Sequence, residues 1–255
     1  MTQAYGSAFA RIYNQKWTGF AQRAAPLIRE YTESVLGQHS HISLLDLCCG
    51  TGNLTRHFLE YGYQVTGIDL SNDMLVYAKE NNLPFLAAGQ ARFFQADASC
   101  FSLDEPVGLV VSTFDALNHL PDFLSLRNCF RCVLKSLEKP GIFIFDLNTI
   151  QGLKEQWNGV NVEDTPELFI LNRAIWIEEY HRAYTQITGF SRMENGLYER
   201  VEESVYNTAF ELQTVVEALK DSGFDQVHCS RLTDLATSLE NPEGEKRVFF
   251  VAQVT

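Results

Sequence analysis

A short apolar run that stops at a glycine turn and restarts as a helix constrains this chain more than any other feature. Leu44-Leu45-Asp46-Leu47 reads as a buried strand, Cys48-Cys49-Gly50-Thr51-Gly52 as a turn, and Asn53-Leu54-Thr55 as the opening of a helix. Gly50 and Gly52 let the backbone come close to a ligand where a side chain would block it, and the helix beyond them offers unpaired N–H groups. A second strand, through Gly67-Ile68, ends in Asp69, 17 residues after Gly52. That separation puts an acid at the tip of a neighbouring strand, within reach of ribose hydroxyls. The two elements together describe a nucleotide site.

The same rhythm continues along the chain. Strands at 43–47, 64–68, 91–95, 107–112 and 141–147 alternate with helical segments, a pattern that implies a mostly parallel sheet covered on both faces. Ahead of them, Ser7 to Leu36 reads as two helices, with Phe9, Ile12 and Tyr13 at helical spacing and Pro26 near the start of the second. These make residues 1–40 a helical cap. After Thr149 the rhythm changes: from Glu167 to Thr208 β-formers alternate, with turn signals at Thr188-Gly189 and Glu194-Asn195-Gly196. That is an antiparallel meander. Because it interrupts the alternation, 151–208 reads as an insertion packed near the carboxyl ends of the strands, in the position of a substrate lid. A helix from Glu211 to Ser222 closed by Gly223, and strands at 225–230 and 246–253 joined through Asn241-Pro242-Glu243-Gly244, complete the domain begun at 41–150 and resumed at 209–255.

Size and charge narrow the function. With 255 residues the chain holds one large domain or one domain with an insertion. A net charge of −12 argues against a partner gripped by its phosphate backbone, so no nucleic acid is expected. Met1-Thr2-Gln3-Ala4-Tyr5-Gly6 has neither a basic start nor an apolar run, and no window is apolar enough to span a bilayer, so the expected place is the cytoplasm, away from membranes. The six cysteines show no framework spacing, which suits a reducing compartment. Cys129-x-x-Cys132 lies in the amphipathic stretch Leu126 to Leu137 without a second Cys or His pair, so helix packing is expected there and no metal.

A pyrophosphate-binding fingerprint would place a third glycine near position 55, which is Thr55, and no acid at the strand end, where Asp46 stands. Asp46-x-Cys48-x-Gly50-x-Gly52 instead resembles the first motif of class I S-adenosylmethionine-dependent methyltransferases, D/E-x-G-x-G-x-G, with Cys48 in place of the first glycine. Asp69-Leu70-Ser71-Asn72-Asp73-Met74-Leu75 is similar to that family's D-x-S-x-x-M-L. There the acid holds the ribose hydroxyls and the methionine packs on the adenosine. Met74 alone would read as core, and Ser71 suits a helix cap. Asp97-Ala98, 28 residues beyond Asp69, match the pair that meets the adenine amino group and ring, although Asp97 alone would also serve as a loop cap. The resemblance implies an α/β fold, doubly wound and mostly parallel with seven strands (Rossmann-like), ending in an antiparallel hairpin pair, here with an N-terminal helical cap and an inserted antiparallel β meander. It implies S-adenosyl-L-methionine as the cofactor.

Val110-Val111-Ser112-Thr113-Phe114-Asp115-Ala116-Leu117-Asn118-His119-Leu120 leaves a buried strand and breaks into polar residues, which should stand at the carboxyl edge where open α/β sheets bind ligands. With Phe9-Ala10-Arg11-Ile12-Tyr13-Asn14 it resembles the small-molecule branch that includes aminosugar N-methyltransferases. The resemblance makes His119 a candidate base, matched to that branch's Gly-His-Leu, and Tyr13 a cover over cofactor or substrate. It adds Thr113 and Phe114 to the cofactor contacts. A histidine in a helix-opening turn serves equally as a structural hydrogen-bond donor, and both readings stand. His181 with Tyr180 and Tyr184 form another candidate wall for the acceptor. The absence of Asn-Pro-Pro-Tyr and of Pro-Cys after the fourth strand argues against nucleic-acid methylation, and the two positions after Ser112 offer no set of acids to hold a divalent cation. The expected acceptor is a small molecule, with nitrogen favoured over oxygen, on a monomer or homodimer. A nicotinamide oxidoreductase would share Gly50, Gly52 and Asp69 but lacks a reason for Asp46 and Asp97. A non-catalytic regulatory protein would keep the cofactor motifs alone.

Overall fold

The computed structural model describes residues 5–37, 43–193 and 195–255; His39, His41 and Glu194 lie outside them. Two helices come first, α1 (Ser7–Lys16) and α2 (Gly19–Leu36). Pro26 stands inside α2 rather than near its start, and the break falls at Trp17-Thr18 instead. A mid-helix proline removes one N–H; the carbonyl that loses its partner belongs to exposed Gln22, where water can replace it.

The alternating part follows: β1 (Ser43–Leu47), α3 (Asn53–Glu60), β2 (Gln64–Asp69), α4 (Asn72–Asn81), the short α5 (Leu83–Ala87), β3 (Ala91–Gln95), β4 (Val107–Ser112), α6 (Phe123–Ser136) and β5 (Leu137–Asn148). Helix α7 (Ile150–Gln156), which its short length hid from the periodicity, leads into β6 (Gly159–Asp164), β7 (Leu168–Ile177), β8 (Arg182–Arg192) and β9 (Tyr198–Thr208). The chain closes with α8 (Leu212–Ser222), β10 (Gln226–Ser230) and β11 (Arg247–Val254).

Seven strands form one sheet in the order β10-β11-β5-β4-β1-β2-β3. Strands β1 to β5 run parallel, and β11 lies antiparallel between β5 and β10. The chain moves outward from β1 to β2 on one side and to β4 on the other, so the strand order reverses there and a crevice opens at the carboxyl ends. Each face of the sheet is covered. On one, Phe130 and Val133 of α6 and Leu219 of α8 pack on Phe143, Phe145 and Phe250. On the other, Ile28 of α2, Phe58 of α3 and Leu75 of α4 pack on Leu44, Val111 and Ile144.

Strands β6 to β9 form a separate antiparallel sheet in chain order. It begins at Gly159, earlier than the alternation at Glu167 indicated, because β6 is an exposed edge strand held by its ladder to β7 rather than by a buried face. Thr188-Gly189 is no turn: both lie inside β8. Gly189 serves a close approach, since a Cβ there would stand 2.5 Å from the Phe169 carbonyl oxygen. The turn between β8 and β9 does use Gly196, whose N–H donates to the Met193 carbonyl at φ 81°.

Candidate active site

Four loops leave the carboxyl ends of β1 to β4 and converge on one cavity of about 330 Å³, roofed by α1 and walled by the second sheet. Tyr13, Cys48, Gly50, Asp69, Leu70, Met74, Asp97, Ala98, Thr113, Phe114 and His119 all line it. Residues from Cys48 to His119 meet there because parallel strands deliver every loop to the same edge.

Asp69 is nearly buried and fixed by two backbone donors, Gly50 N–H to Oδ2 and Ser71 N–H to Oδ1, both at 2.8 Å. Burial pushes its carboxyl pKa up, and those N–H groups oppose the shift. Each oxygen keeps a further lone pair for a ribose hydroxyl. Ser71 caps α4, accepting from Met74 N–H, and its hydroxyl donates to the Tyr5 carbonyl at 2.6 Å, which ties the start of α1 to the loop. Met74 is buried among Phe9, Ile12 and Ile170 while also lining the cavity, so it is core and wall at once. Asp97 Oδ1 accepts from the Ser99 N–H and hydroxyl, which orients its loop.

Cys48 adopts φ 62°, the left-handed conformation that the glycine of the family pattern would take freely. For a non-glycine residue that costs about 1–3 kcal/mol, held by the surrounding fold. Gly50, at φ 54°, leaves open the space below the Tyr13 ring, whose edge would lie 3.7 Å from an added Cβ. Two motif residues stand back from the cavity. Asp46 is buried and accepts from Thr55 N–H and Oγ1 at 3.1 and 2.5 Å, tying β1 to α3. It borders a smaller adjoining pocket with Tyr13, Cys48 and Phe114. Gly52 caps α3 at φ 74°, where a Cβ would meet Asn82 at 2.7 Å.

His119 ends a 3-10 turn after β4, and its Nδ1 lies 3.1 Å from the Tyr206 carbonyl of β9. A carbonyl only accepts, so Nδ1 carries the hydrogen and Nε2 is the basic nitrogen. The Tyr5 hydroxyl lies 3.4 Å from Nε2. Burial lowers the His119 pKa, an effect that nearby Asp115 opposes, so the ring is neutral at pH 7.

Several residues in and around the cavity were not singled out in the sequence. Asp115 holds Arg247 Nη2 on Oδ1 at 2.6 Å and Asn207 Nδ2 on Oδ2 at 2.9 Å. Arg247 also pairs with Asp146, whose oxygens take the Phe114 and Asp115 N–H groups at 2.6 and 2.9 Å. Phe114 and Asp115 both have positive φ, so this cluster shapes the loop after β4. Asp146 closes the apolar run Ile142–Phe145, a sign that it lies at the sheet edge. Trp157, Thr185, Ile187, Val205 and Asn207 supply the far wall. His181 and Tyr180 lie at the β7–β8 turn, outside that lining, and Tyr184 points to the opposite face from Thr185, its ring tilted against that of Tyr206.

The residues suit an adenosine that carries a sulfonium: an acid at the β2 tip, a second acid after β3, apolar Leu70 and Met74 between them, and a bare glycine under an aromatic ring. Residues 44–141 match the methyltransferase domain family. The Bacillus subtilis (strain 168) protein YqeM, provisionally named a methyltransferase, is 29% identical over 214 residues, spanning 82% of this chain and 83% of that one. An S-adenosylmethionine-dependent methyltransferase from Clostridium acetobutylicum ATCC 824 superposes with a TM-score of 0.80 at 22% identity, over 97% of this chain and 98% of its own. The sugar N-methyltransferase KedS8 from Streptoalloteichus sp ATCC 53650 superposes with a TM-score of 0.74 at 21% identity, over 99% and 96%. Domain and fold together define an enzyme of the methyl-transferring class. Over residues 44–141 the chain carries a methyltransferase domain, and its fold is similar to that of S-adenosylmethionine-dependent methyltransferases, the sugar N-methyltransferase KedS8 among them.

Among the described residues no helix is long and apolar enough to cross a membrane, and no cluster of His, Cys, Asp or Glu is arranged to hold a metal ion.

Proposed function

We propose that this enzyme methylates a small-molecule acceptor on nitrogen in preference to oxygen, with His119 as the base. The observation that carries this reading is the orientation of the imidazole: Nδ1 faces the Tyr206 carbonyl, so the basic nitrogen is Nε2, on a ring that lines the cavity with the Tyr5 hydroxyl 3.4 Å from that nitrogen. The likeness to a sugar N-methyltransferase supports nitrogen.

When bound, the cofactor supplies an electrophilic methyl on a positively charged sulfur. Asp69 takes the ribose hydroxyls, Asp97 and the Ala98 N–H take the adenine, and Leu70 and Met74 pack against the rings. Cys48, Gly50, Thr113 and Phe114 surround the remaining part, with Tyr13 over it. Asp46 and Gly52 act from behind, by holding the glycine turn. His119 removes the proton that would otherwise block the acceptor lone pair, and the second sheet and α1 exclude water and hold donor and acceptor in line. In this arrangement β6–β9 is the lid over the acceptor.

The test is methyl transfer to a panel of primary and secondary amines and their matched alcohols, for the native enzyme and His119→Ala. Methylated amines, a loss of about 10²-fold or more in kcat for the variant, and retained S-adenosylhomocysteine binding are expected. Because burial lowers the His119 pKa, kcat/KM should hold steady down to about pH 6.5 and fall only below it. Alcohols methylated in preference to amines would reject the nitrogen reading, and full activity in His119→Ala would remove the base.

A further inference from the structure

We infer that Asp115 reads the acceptor as a cation, and that the acceptor is an amine on an apolar body that brings no carboxylate or phosphate into the cavity. This rests on the proposed small-molecule reading and gives it a chemical class.

Among the described residues lining the cavity there is no lysine and no arginine, while three aspartates line it. Asp69 and Asp97 stand at the tips of β2 and β3, on the adenosine side. Asp115 is the acid on the acceptor side, near His119, and Leu120, Trp157, Ile187 and Val205 give the same cavity apolar wall. An anionic group on the acceptor would meet these acids without a compensating cation inside, a costly burial. An apolar body fits the wall.

The charge balance points the same way. Asp115 and Asp146 are 7% and 0% exposed, and both draw on the one guanidinium of Arg247. Two buried carboxylates share one cation, so with both ionised the cluster is a charge short of neutrality, and buried charges are found paired. An acceptor ammonium would supply the missing charge. Asp115 is held rigidly for that task, with Arg247 on one oxygen and Asn207 of β9 on the other, and each oxygen retains a lone pair. Amines are mostly protonated at neutral pH, so recognition as ammonium must be followed by loss of one proton. That proton goes from the acceptor nitrogen to His119 Nε2; the freed pair forms the new N–C bond, and the pair of the breaking C–S bond stays on sulfur.

The experiment is calorimetric binding of phenethylamine, 2-phenylethanol and phenylalanine to the protein saturated with S-adenosylhomocysteine. Phenethylamine should bind at least tenfold tighter than either partner, since the alcohol lacks the charge and the amino acid adds a carboxylate. In Asp115→Asn the amine should lose about tenfold in affinity and the alcohol none, with S-adenosylhomocysteine binding reporting that the variant is folded. The native comparison stands even if that variant fails to fold. Equal binding of all three, tighter binding of phenylalanine, or no binding of phenethylamine overturns the inference while leaving the methyltransferase intact. Failure of S-adenosylhomocysteine itself to bind would instead strike the cofactor assignment on which both readings depend.

Discussion

Asp69 is a structural tie that also lines the cavity. Its oxygens already hold the Gly50 and Ser71 N–H groups, so it clamps the glycine turn to the tip of β2 before any ligand arrives. Asp69→Ala should therefore remove the ribose contacts and loosen the turn together. S-adenosylhomocysteine affinity, measured by calorimetry, is expected to fall more than 100-fold; unchanged affinity would take away the ribose role. The position of this acid was legible in the sequence because a strand-ending acid 17 residues after Gly52 reports on local geometry alone. For Asp115 the place at the sheet edge was legible in the polar run after Ser112, but its partners were not. Its partners Asn207 and Arg247 lie 92 and 132 residues away, and nothing in the local pattern separates it from a solvated loop acid.

Among the elements, the β1–turn–α3 unit is organised by Asp46 from behind. Burial raises its carboxyl pKa from 3.8 to about 7, while the Thr55 hydrogen bonds hold it down. A carboxyl whose folded pKa lies above its unfolded value binds its proton more tightly when folded. Its stabilising contribution is thus fully present below pH 3.8 and lost as the pH rises to about 7. In Asp46→Asn, which keeps an acceptor for Thr55, that slope should vanish. Thermal melts from pH 4 to 8 should show the native protein losing stability relative to the variant across that window, and a difference independent of pH would contradict the assignment. The strand at 107–112 and the helix after it followed directly from apolar runs. The strand β6 and the continuity of β8 through Gly189 did not, since an exposed edge strand has no buried face to pattern, and Gly189 answers to a neighbouring strand's carbonyl.

For the molecule as a whole, Arg247 joins parts that the chain keeps far apart. It lies at the start of β11, pairs with Asp146 at the end of β5 and Asp115 after β4, and stacks on Phe20 of α2 and Phe114, with ring centroids 4.9 and 5.6 Å from the guanidinium carbon. Through Asp115 and Asn207 it also reaches the second sheet. Arg247→Ala would strand two buried carboxylates, which costs about 3–5 kcal/mol by comparison with other broken buried pairs. Urea denaturation should show a loss of that order, and a change below about 1 kcal/mol would mean that the cluster relaxes without it.

From the sequence alone came the doubly wound sheet, the glycine turn, the acids at the tips of β2 and β3, and an inserted β segment, because each is written in short-range periodicity and spacing that local backbone physics obeys. The tertiary structure decided which side of His119 carries its proton, that Asp46 and Gly52 stand behind the cavity, and that Thr185 and Ile187 rather than His181 and Tyr180 line it. These depend on strand register and on long-range pairing, where a shift of one residue turns every side chain to the other face.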